Sequence, residues 1–264
     1  MQAKINGIEL AFDLQGSGVP VLLLHAFPLN RSMWQAQANA LSRQFRVITP
    51  DFRGFGDSER SDEPYTMELL ADDICALLKH LSVDQIILGG LSMGGYVAFA
   101  FYLKYPEMVQ RLILADTRAE ADTEDGKANR RAVAELARKR GAAVIAELMT
   151  PKLLGATTRQ EKPEVVKRVK EMIAACAPTA IANAQIGMSL RPDSTSTLKA
   201  ITCPTLILVG EEDLLTTVEM AKNMHSKIKD SVLQVVPKAG HLSNLEQPES
   251  FNAHLVDFLQ DQPV

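Results

Sequence analysis

The stretch QIILGGLSMGGYVAFAFYL, residues 85–103, decides the fold. Residues 85–89 (QIILG) form a short apolar run that reads as a buried strand, while the residues from Met93 to about Leu103 are apolar on nearly every face, the pattern of a helix buried centrally against a sheet. Between them Gly90-Leu91-Ser92-Met93-Gly94 fits G-x-S-x-G. A serine at a sharp strand-to-helix turn adopts strained backbone angles, and the residues two before and two after it must be small or their side chains collide across the turn. Gly90 and Gly94 supply that clearance and Gly95 adds more. The positive end of the following helix would lie under Ser92 and favour negative charge forming there. Without its strand and helix the pattern would mark only a tight turn; with them it makes Ser92 a candidate nucleophile.

Working outward, the same kind of apolar run recurs at 21–25 (VLLLH), 45–49 (FRVIT), 111–115 (RLILA) and 205–209 (TLILV), with VLQVV at 232–236 closing the series. These runs alternate with helix-period stretches, the mark of an α/β chain with a mostly parallel sheet and helices on both faces. The opening segment KINGIELAFDLQGSG, residues 4–18, alternates apolar and polar residues around Asn6-Gly7 and predicts an antiparallel hairpin at the sheet edge.

Over residues 118–198 the strand signal vanishes, and amphipathic patterns such as RRAVAELARKR (130–140) and PEVVKRVKEMIAA (163–175) take its place. The block starts after one strand and ends before another, so it reads as a helical cap inserted into a core formed by residues 1–117 and 199–264. Its cations Arg130, Arg131, Arg138, Lys139 and Arg140 lie among or beside Glu120, Asp122, Glu124, Asp125 and Glu135. A solvated helix face is the favoured reading, and an anion-collecting patch is the alternative.

A serine hydroxyl is a weak nucleophile until an imidazole accepts its proton. Of the five histidines, His80, His225 and His254 fall in charged helical stretches, and His25 ends the first buried strand. His241 stands in an Ala239-Gly240-His241 turn after the last strand, where the Ser, acid, His chain order places the base. The acid must precede it after a late strand. Glu211, Glu212 and Asp213 follow TLILV, and Asp213 lies deepest in the turn; Asp116, at the end of RLILA, is the rival. An oxyanion needs two N–H donors. Met93 follows the nucleophile directly, and Phe27 is the choice from the His25-Ala26-Phe27-Pro28 loop because Pro28 has no N–H. His25 then reads as a residue that holds this loop.

Together these residues resemble the α/β-hydrolase superfamily over essentially the whole chain outside the cap. LLLHAFPLNRSMW (22–34) is similar to the family's oxyanion loop, with Ala26 where glycine is usual. In PDFRGFGDSE (50–59), the resemblance gives Arg53, Gly54, Gly56 and Asp57 a structural role. The Asp213-Leu214-Leu215-Thr216 segment looks like the acid loop, and GHLSNLEQPESF (240–251) like the histidine loop, with Glu246 and Pro248 shaping the final helix. The pattern looks closest to the small bacterial enol-lactonases, arylesterases and cofactor-free haloperoxidases. Serine at the elbow argues against the dehalogenases and epoxide hydrolases of this fold, which use aspartate there.

The resemblance implies hydrolysis of a carboxylic ester or lactone by Ser92, Asp213 and His241, with no metal or organic cofactor. Carbon–carbon bond hydrolysis, thioester hydrolysis and slow-turnover ligand reception are the rivals on the same triad. Composition is compatible with this. The 264 residues are 46% apolar and 23% charged, ordinary for a folded chain, and a formal net charge of -4 gives no reason to expect nucleic acid or an anionic membrane as partner. A small molecule is the expected partner, and nothing in the sequence sets the number of subunits. Cys75, Cys176 and Cys203 lack metal-ligand spacing and read as reduced thiols. With no signal-peptide pattern at MQAKINGIEL, the expected location is the cytoplasm. Phe27, Trp34, Met93, Met149 and Met188 are candidate pocket walls. The cap is expected to set substrate choice without contributing to the chemical step.

Overall fold

A computed structural model describes residues 1–260. Eight strands, β1 (Gln2–Ile5), β2 (Ile8–Gln15), β3 (Val19–Leu24), β4 (Phe45–Pro50), β5 (Ile86–Leu91), β6 (Val109–Ala115), β7 (Thr205–Gly210) and β8 (Ser231–Val236), form one sheet in the order β1-β2-β4-β3-β5-β6-β7-β8. The β1–β2 and β2–β4 pairs are antiparallel and every other pair is parallel. The expected hairpin turns at Asn6 and Gly7, both at positive φ (45° and 84°). Each expected buried run lies within or overlaps a strand, with ends shifted by one or two residues.

All six residues of β5 and of β7 are buried, so helices cover both faces of the sheet. Before the elbow come α1 (Gln35–Leu41) and α2 (Met67–His80); α3 (Met93–Lys104) follows it. The chain closes with α10 (Val218–His225), α11 (Ser243–Glu246) and α12 (Pro248–Gln260). The α3 helix buries residues on every side and packs against α2, β3, β5 and β6, as its uninterrupted apolar sequence requires. On β8, by contrast, Val232 and Val235 remain open to solvent, because β8 is the outer strand.

Between β6 and β7 the chain forms α4 (Glu124–Arg140), α5 (Ala142–Leu153), α6 (Ala156–Glu161), α7 (Pro163–Ala174), α8 (Pro178–Ser189) and α9 (Thr195–Leu198). Thr123 caps α4 by accepting from the Gly126 N–H at 3.1 Å, and Gly141, at φ 81°, turns the chain from α4 into α5. The α4 helix packs on α8 and α5 on α7. Among the described residues no helix is long and apolar enough to cross a membrane.

Parallel pairing places the carboxyl ends of β3, β5, β6, β7 and β8 side by side. The loops leaving those ends begin at His25, Ser92, Asp116, Glu211 and Pro237. Groups distant in sequence therefore meet along one edge of a rigid scaffold.

Candidate active site

Ser92 occupies φ 56°, ψ -113°, a conformation that side chains rarely adopt. The surrounding glycines show why it persists. A Cβ on Gly90 would lie 2.2 Å from the Gly94 carbonyl oxygen, and one on Gly94 would lie 2.2 Å from that of Leu24. On Gly95 a Cβ would meet Thr117 Oγ1 at 2.4 Å. Thr117 Oγ1 also donates to the Ser92 carbonyl at 2.9 Å, and the Ser92 N–H donates to Ala115 O at 3.0 Å. The turn is thus clamped between β5, β6 and α3.

Ser92 Oγ lies 2.8 Å from His241 Nε2, and His241 Nδ1 lies 2.8 Å from Asp213 Oδ2. Asp213 is held in turn by the N–H groups of Leu215 (2.7 Å) and Thr216 (3.0 Å) on Oδ1 and by Thr216 Oγ1 (2.5 Å) on Oδ2. These partners assign the tautomer: Nδ1–H donates to Asp213, leaving the Nε2 lone pair to accept from Ser92. Burial pushes the Asp213 carboxyl up, but attraction to His241 and the bonds from His241 and Thr216 outweigh it and hold the group below its ordinary value. Burial lowers His241, yet the Asp213 charge and hydrogen bond leave it raised.

Asp116 is placed differently. Its Oδ1 accepts from Gly210 N–H at 2.8 Å and its Oδ2 from Ser243 N–H (3.1 Å) and Ser243 Oγ (2.5 Å). It makes no hydrogen bond to His241; it ties the acid loop to the histidine loop from beneath. Burial, followed by the neighbouring Asp213 charge, pushes it up to about 8.

His25 accepts from the Phe52 N–H at Nε2 (3.0 Å), which leaves Nδ1–H to donate to Ala26 O (2.9 Å). Burial lowers its pKa, so the ring is a neutral clip between two loops. Among the described residues the backbone N–H groups of Phe27 and Met93 donate to no protein acceptor, although both residues are buried. Unpaired buried donors are costly, and these two belong to the residue that follows Ser92 and to a residue that lines the same cavity as Ser92.

A cavity of about 310 Å³ opens onto Ser92 and His241. Phe27, Met149 and Met188 line it, as do Val133 and Leu148 of the inserted helices. Trp34 and Met93 are not walls: Trp34 packs in the core, its ring 6.1 Å from that of Phe251, and the Met93 side chain is fully buried. Apolar character indicates burial, not which buried surface a side chain covers.

A family model for the alpha/beta hydrolase fold matches residues 19–248. The chain belongs to the α/β-hydrolase family. It is similar to 3-oxoadipate enol-lactonase 2 of Acinetobacter baylyi, with 32% identity over 86% of this chain and 83% of that enzyme. Among solved structures it resembles a thermophilic esterase from Thermogutta terrifontis with malate bound, at TM-score 0.97 and 47% identity over 99% of this chain and 98% of that one. The enol-lactonase from Burkholderia xenovorans LB400 superposes at TM-score 0.92, with 27% identity over 98% of this chain and 99% of its own.

Several features of this α/β-hydrolase were not read from its sequence. The first is Thr216, whose hydroxyl fixes the Asp213 oxygen that meets the histidine. Glu246 was expected to shape the final helix, a role that Pro248 has as the first residue of α12. Glu246 is instead fully buried and accepts from Gly240 N–H (2.9 Å), Leu242 N–H (3.1 Å) and Gly155 N–H (2.8 Å), so it joins the histidine loop to the inserted helices. Arg53 does have the expected structural place, gripping Asp73 through two bonds of 2.7 Å. Gly56 lies against Asp51, whose carboxylate a Cβ there would strike at 2.0 Å.

The solvated-face reading of the basic cluster fails for Arg130. Its side chain is largely buried and lines the cavity, and it bonds to Asp122, to which Arg118 and Arg191 also bond. Arg131, Lys139 and Arg140 are exposed, as expected.

Proposed function

We propose that this hydrolase transfers the acyl group of a carboxylic ester or lactone to water through Ser92. The observation that carries the proposal is the unbroken relay of 2.8 Å contacts from Ser92 Oγ through His241 to Asp213, set beside the two unpaired N–H groups. Ser92 Oγ attacks the carbonyl carbon while His241 Nε2 takes its proton, and the carbonyl π electrons move to the oxygen, where the Phe27 and Met93 amides stabilise them. Collapse of the tetrahedral intermediate expels the alcohol, which receives the Nε2 proton, and leaves an acyl-serine. Water, deprotonated by the same nitrogen, attacks this ester; the carboxylic acid leaves and Ser92 recovers its proton. In a lactone the expelled hydroxyl is part of the acyl chain, so deacylation releases a single hydroxy acid.

Asp213 supports the imidazolium that forms in each half-reaction without itself taking a proton. The raised His241 pKa is the expected consequence, since the same carboxylate stabilises the charged ring. Serine at the elbow directs attack to a carbonyl, and the similar proteins that bear the names esterase and enol-lactonase support the same chemistry.

Substitution of Ser92→Ala tests the proposal, because it removes the nucleophile with little loss of packing. Hydrolysis of p-nitrophenyl esters of graded acyl length and of a lactone panel should fall about a thousandfold or more, with an unchanged melting temperature. Retention of about a tenth of wild-type turnover, with contaminating esterase excluded, overturns the serine mechanism.

A further inference from the structure

The cavity that holds Ser92 and His241 is also lined by Arg118, Asp122, Arg130 and Lys152. Asp122 is buried and receives three guanidinium groups. Arg118 Nη2 donates to its Oδ1 at 2.5 Å and Arg191 Nη2 to the same oxygen at 3.3 Å, while Arg130 bonds Oδ2 through Nε. Arg130 Nη1 continues to Gln185 Oε1 at 3.1 Å, and the Arg191 guanidinium lies 4.1 Å above the Tyr96 ring. Every member is therefore fixed in place by its neighbours.

The charges do not balance. Three guanidiniums bonded to one carboxylate carry two positive charges beyond it, with the exposed Asp193 also attracting Arg191, and Lys152 at the cavity lining adds another cation that has no ion pair among the described residues. Among the described residues Arg118 Nε and Arg191 Nε are buried with no hydrogen-bond partner. Neutralising Asp122 requires fewer cations than this, and a partly buried surplus is costly unless an anion completes it. Burial pushes Asp122 up, but its bond and attraction to Arg130, followed by Arg191 and Arg118, hold it below the ordinary carboxylate range, so it stays ionised and orients the cluster.

We infer that Arg118 and Arg130, ordered by Asp122 and backed by Arg191, form a carboxylate-binding subsite, and that the substrate is a compact ester or lactone carrying a free carboxylate. The planar guanidinium fork suits a carboxylate, and a cavity of about 310 Å³ is at the small end for a ligand site, which favours a short molecule such as a half-ester of a dicarboxylic acid. Attack by Ser92 on its ester carbonyl releases the alcohol and, after deacylation, the dicarboxylate. The inference deepens the ester-hydrolase reading and rests on it for the reacting group.

Two measurements test it separately from that reading. Binding of succinate to the Ser92→Ala protein, followed by calorimetry, needs no turnover; saturable binding weakened by salt is expected, and its absence overturns the subsite. The second is kcat/KM for monoethyl succinate against ethyl pentanoate, an uncharged ester of similar length. The wild-type ratio should favour the anion by about tenfold or more, and Arg118→Gln or Arg130→Gln should each lower that ratio about tenfold. Lys152→Gln, at an exposed position, should lower it by a smaller factor and serves if the buried variants do not fold. A wild-type ratio at or below one, or a ratio indifferent to Arg118→Gln, Arg130→Gln and Lys152→Gln in folded protein, overturns the inference. Equal loss of both esters in Ser92→Ala with succinate still bound leaves both readings standing.

Discussion

The serine and the histidine are held by different means. Around Ser92 every constraint is local to the sheet: glycines at 90, 94 and 95, the Leu24 carbonyl, and Thr117 on the next strand's loop. His241 is fixed from outside the core. Its own N–H donates to Leu153 O at the end of α5 (3.1 Å), and the flanking Gly240 and Leu242 amides share Glu246 with Gly155. Glu212, beside Asp213, accepts from Thr157 N–H at 2.9 Å and from its hydroxyl at 2.5 Å. The backbones of Gly240 and Gly155 are so close that a Cβ on Gly240 would lie 2.3 Å from the Gly155 nitrogen. The proposed nucleophile is thus held by the sheet, whereas the proposed base is positioned at the junction between the sheet and the inserted helices. On the proposed mechanism the insertion would therefore brace the base as well as set the substrate choice expected of it.

The comparison is tested most severely on the two carboxylates below the histidine. Asp213→Asn leaves the shape intact but presents an amide that stabilises the wrong imidazole tautomer, so kcat should fall about a thousandfold or more. Asp116→Asn should cost far less, because Asp116 bonds to Gly210 and Ser243 and not to the ring. Asp116 also has its own signature. Its pKa is raised from 3.8 to about 8 on folding, so the folded state retains a proton that the unfolded chain has lost, and stability falls as pH rises through that window. The Asn variant should show a flatter dependence of melting temperature on pH between those limits. A larger kcat loss at Asp116 than at Asp213 would exchange their roles.

What was legible in the sequence follows the same division. The elbow could be read because its constraints lie within a few consecutive residues and the steric rule acts at fixed offsets from Ser92. His241 and Asp213 could be placed by chain order, since each leaves the carboxyl end of a successive strand. The bracing by Glu246 could not, because Gly155 and Gly240 meet only after the five helices and two strands between them have folded back. Likewise Arg118, Asp122, Arg130 and Arg191 converge from a loop, a helix and the far end of the insertion. In one dimension an arginine near several acids looks solvated, and only folding shows which carboxylate it meets.

Glu246→Gln should give the next largest effect. The amide keeps the volume but offers one acceptor oxygen where the carboxylate serves three N–H groups, and its own NH2 faces donors. Burial already raises the Glu246 pKa, so the site tolerates little further loss of pairing. Losing charge-assisted bonds at a buried site costs roughly 1.5 to 3 kcal/mol each, enough to lower the melting temperature by about 5 °C or more. The sharper readout is kcat, which should fall about tenfold with KM changing less, because the base is displaced while the cavity keeps its lining. A lowered melting temperature with kcat unchanged would show that the junction supports the fold and not the histidine.

The smallest effect concerns the inserted helices as the wall of the cavity. Val133 on α4 and Leu148 on α5 line it beside Met149 and Met188, and none of the four contacts the triad through a hydrogen bond. Trimming Val133→Ala or Leu148→Ala leaves the bracing of Gly155 and Gly240 untouched, so acetate hydrolysis should hold nearly constant. Longer acyl chains would gain or lose contact with the altered wall, and each methylene is worth about 1 to 3 kcal/mol of discrimination when fully enclosed. Leu148 remains partly open to solvent, so its variant should move the ranking less than Val133→Ala, whose site is buried. Measuring kcat/KM for acetate, butyrate and hexanoate esters in both variants resolves the two functions of the insertion. A change confined to the longer esters assigns Val133 and Leu148 to selection alone. A uniform fall on all three would mean that the wall and the brace move together, and that the insertion cannot be altered at one surface without displacing the base at the other.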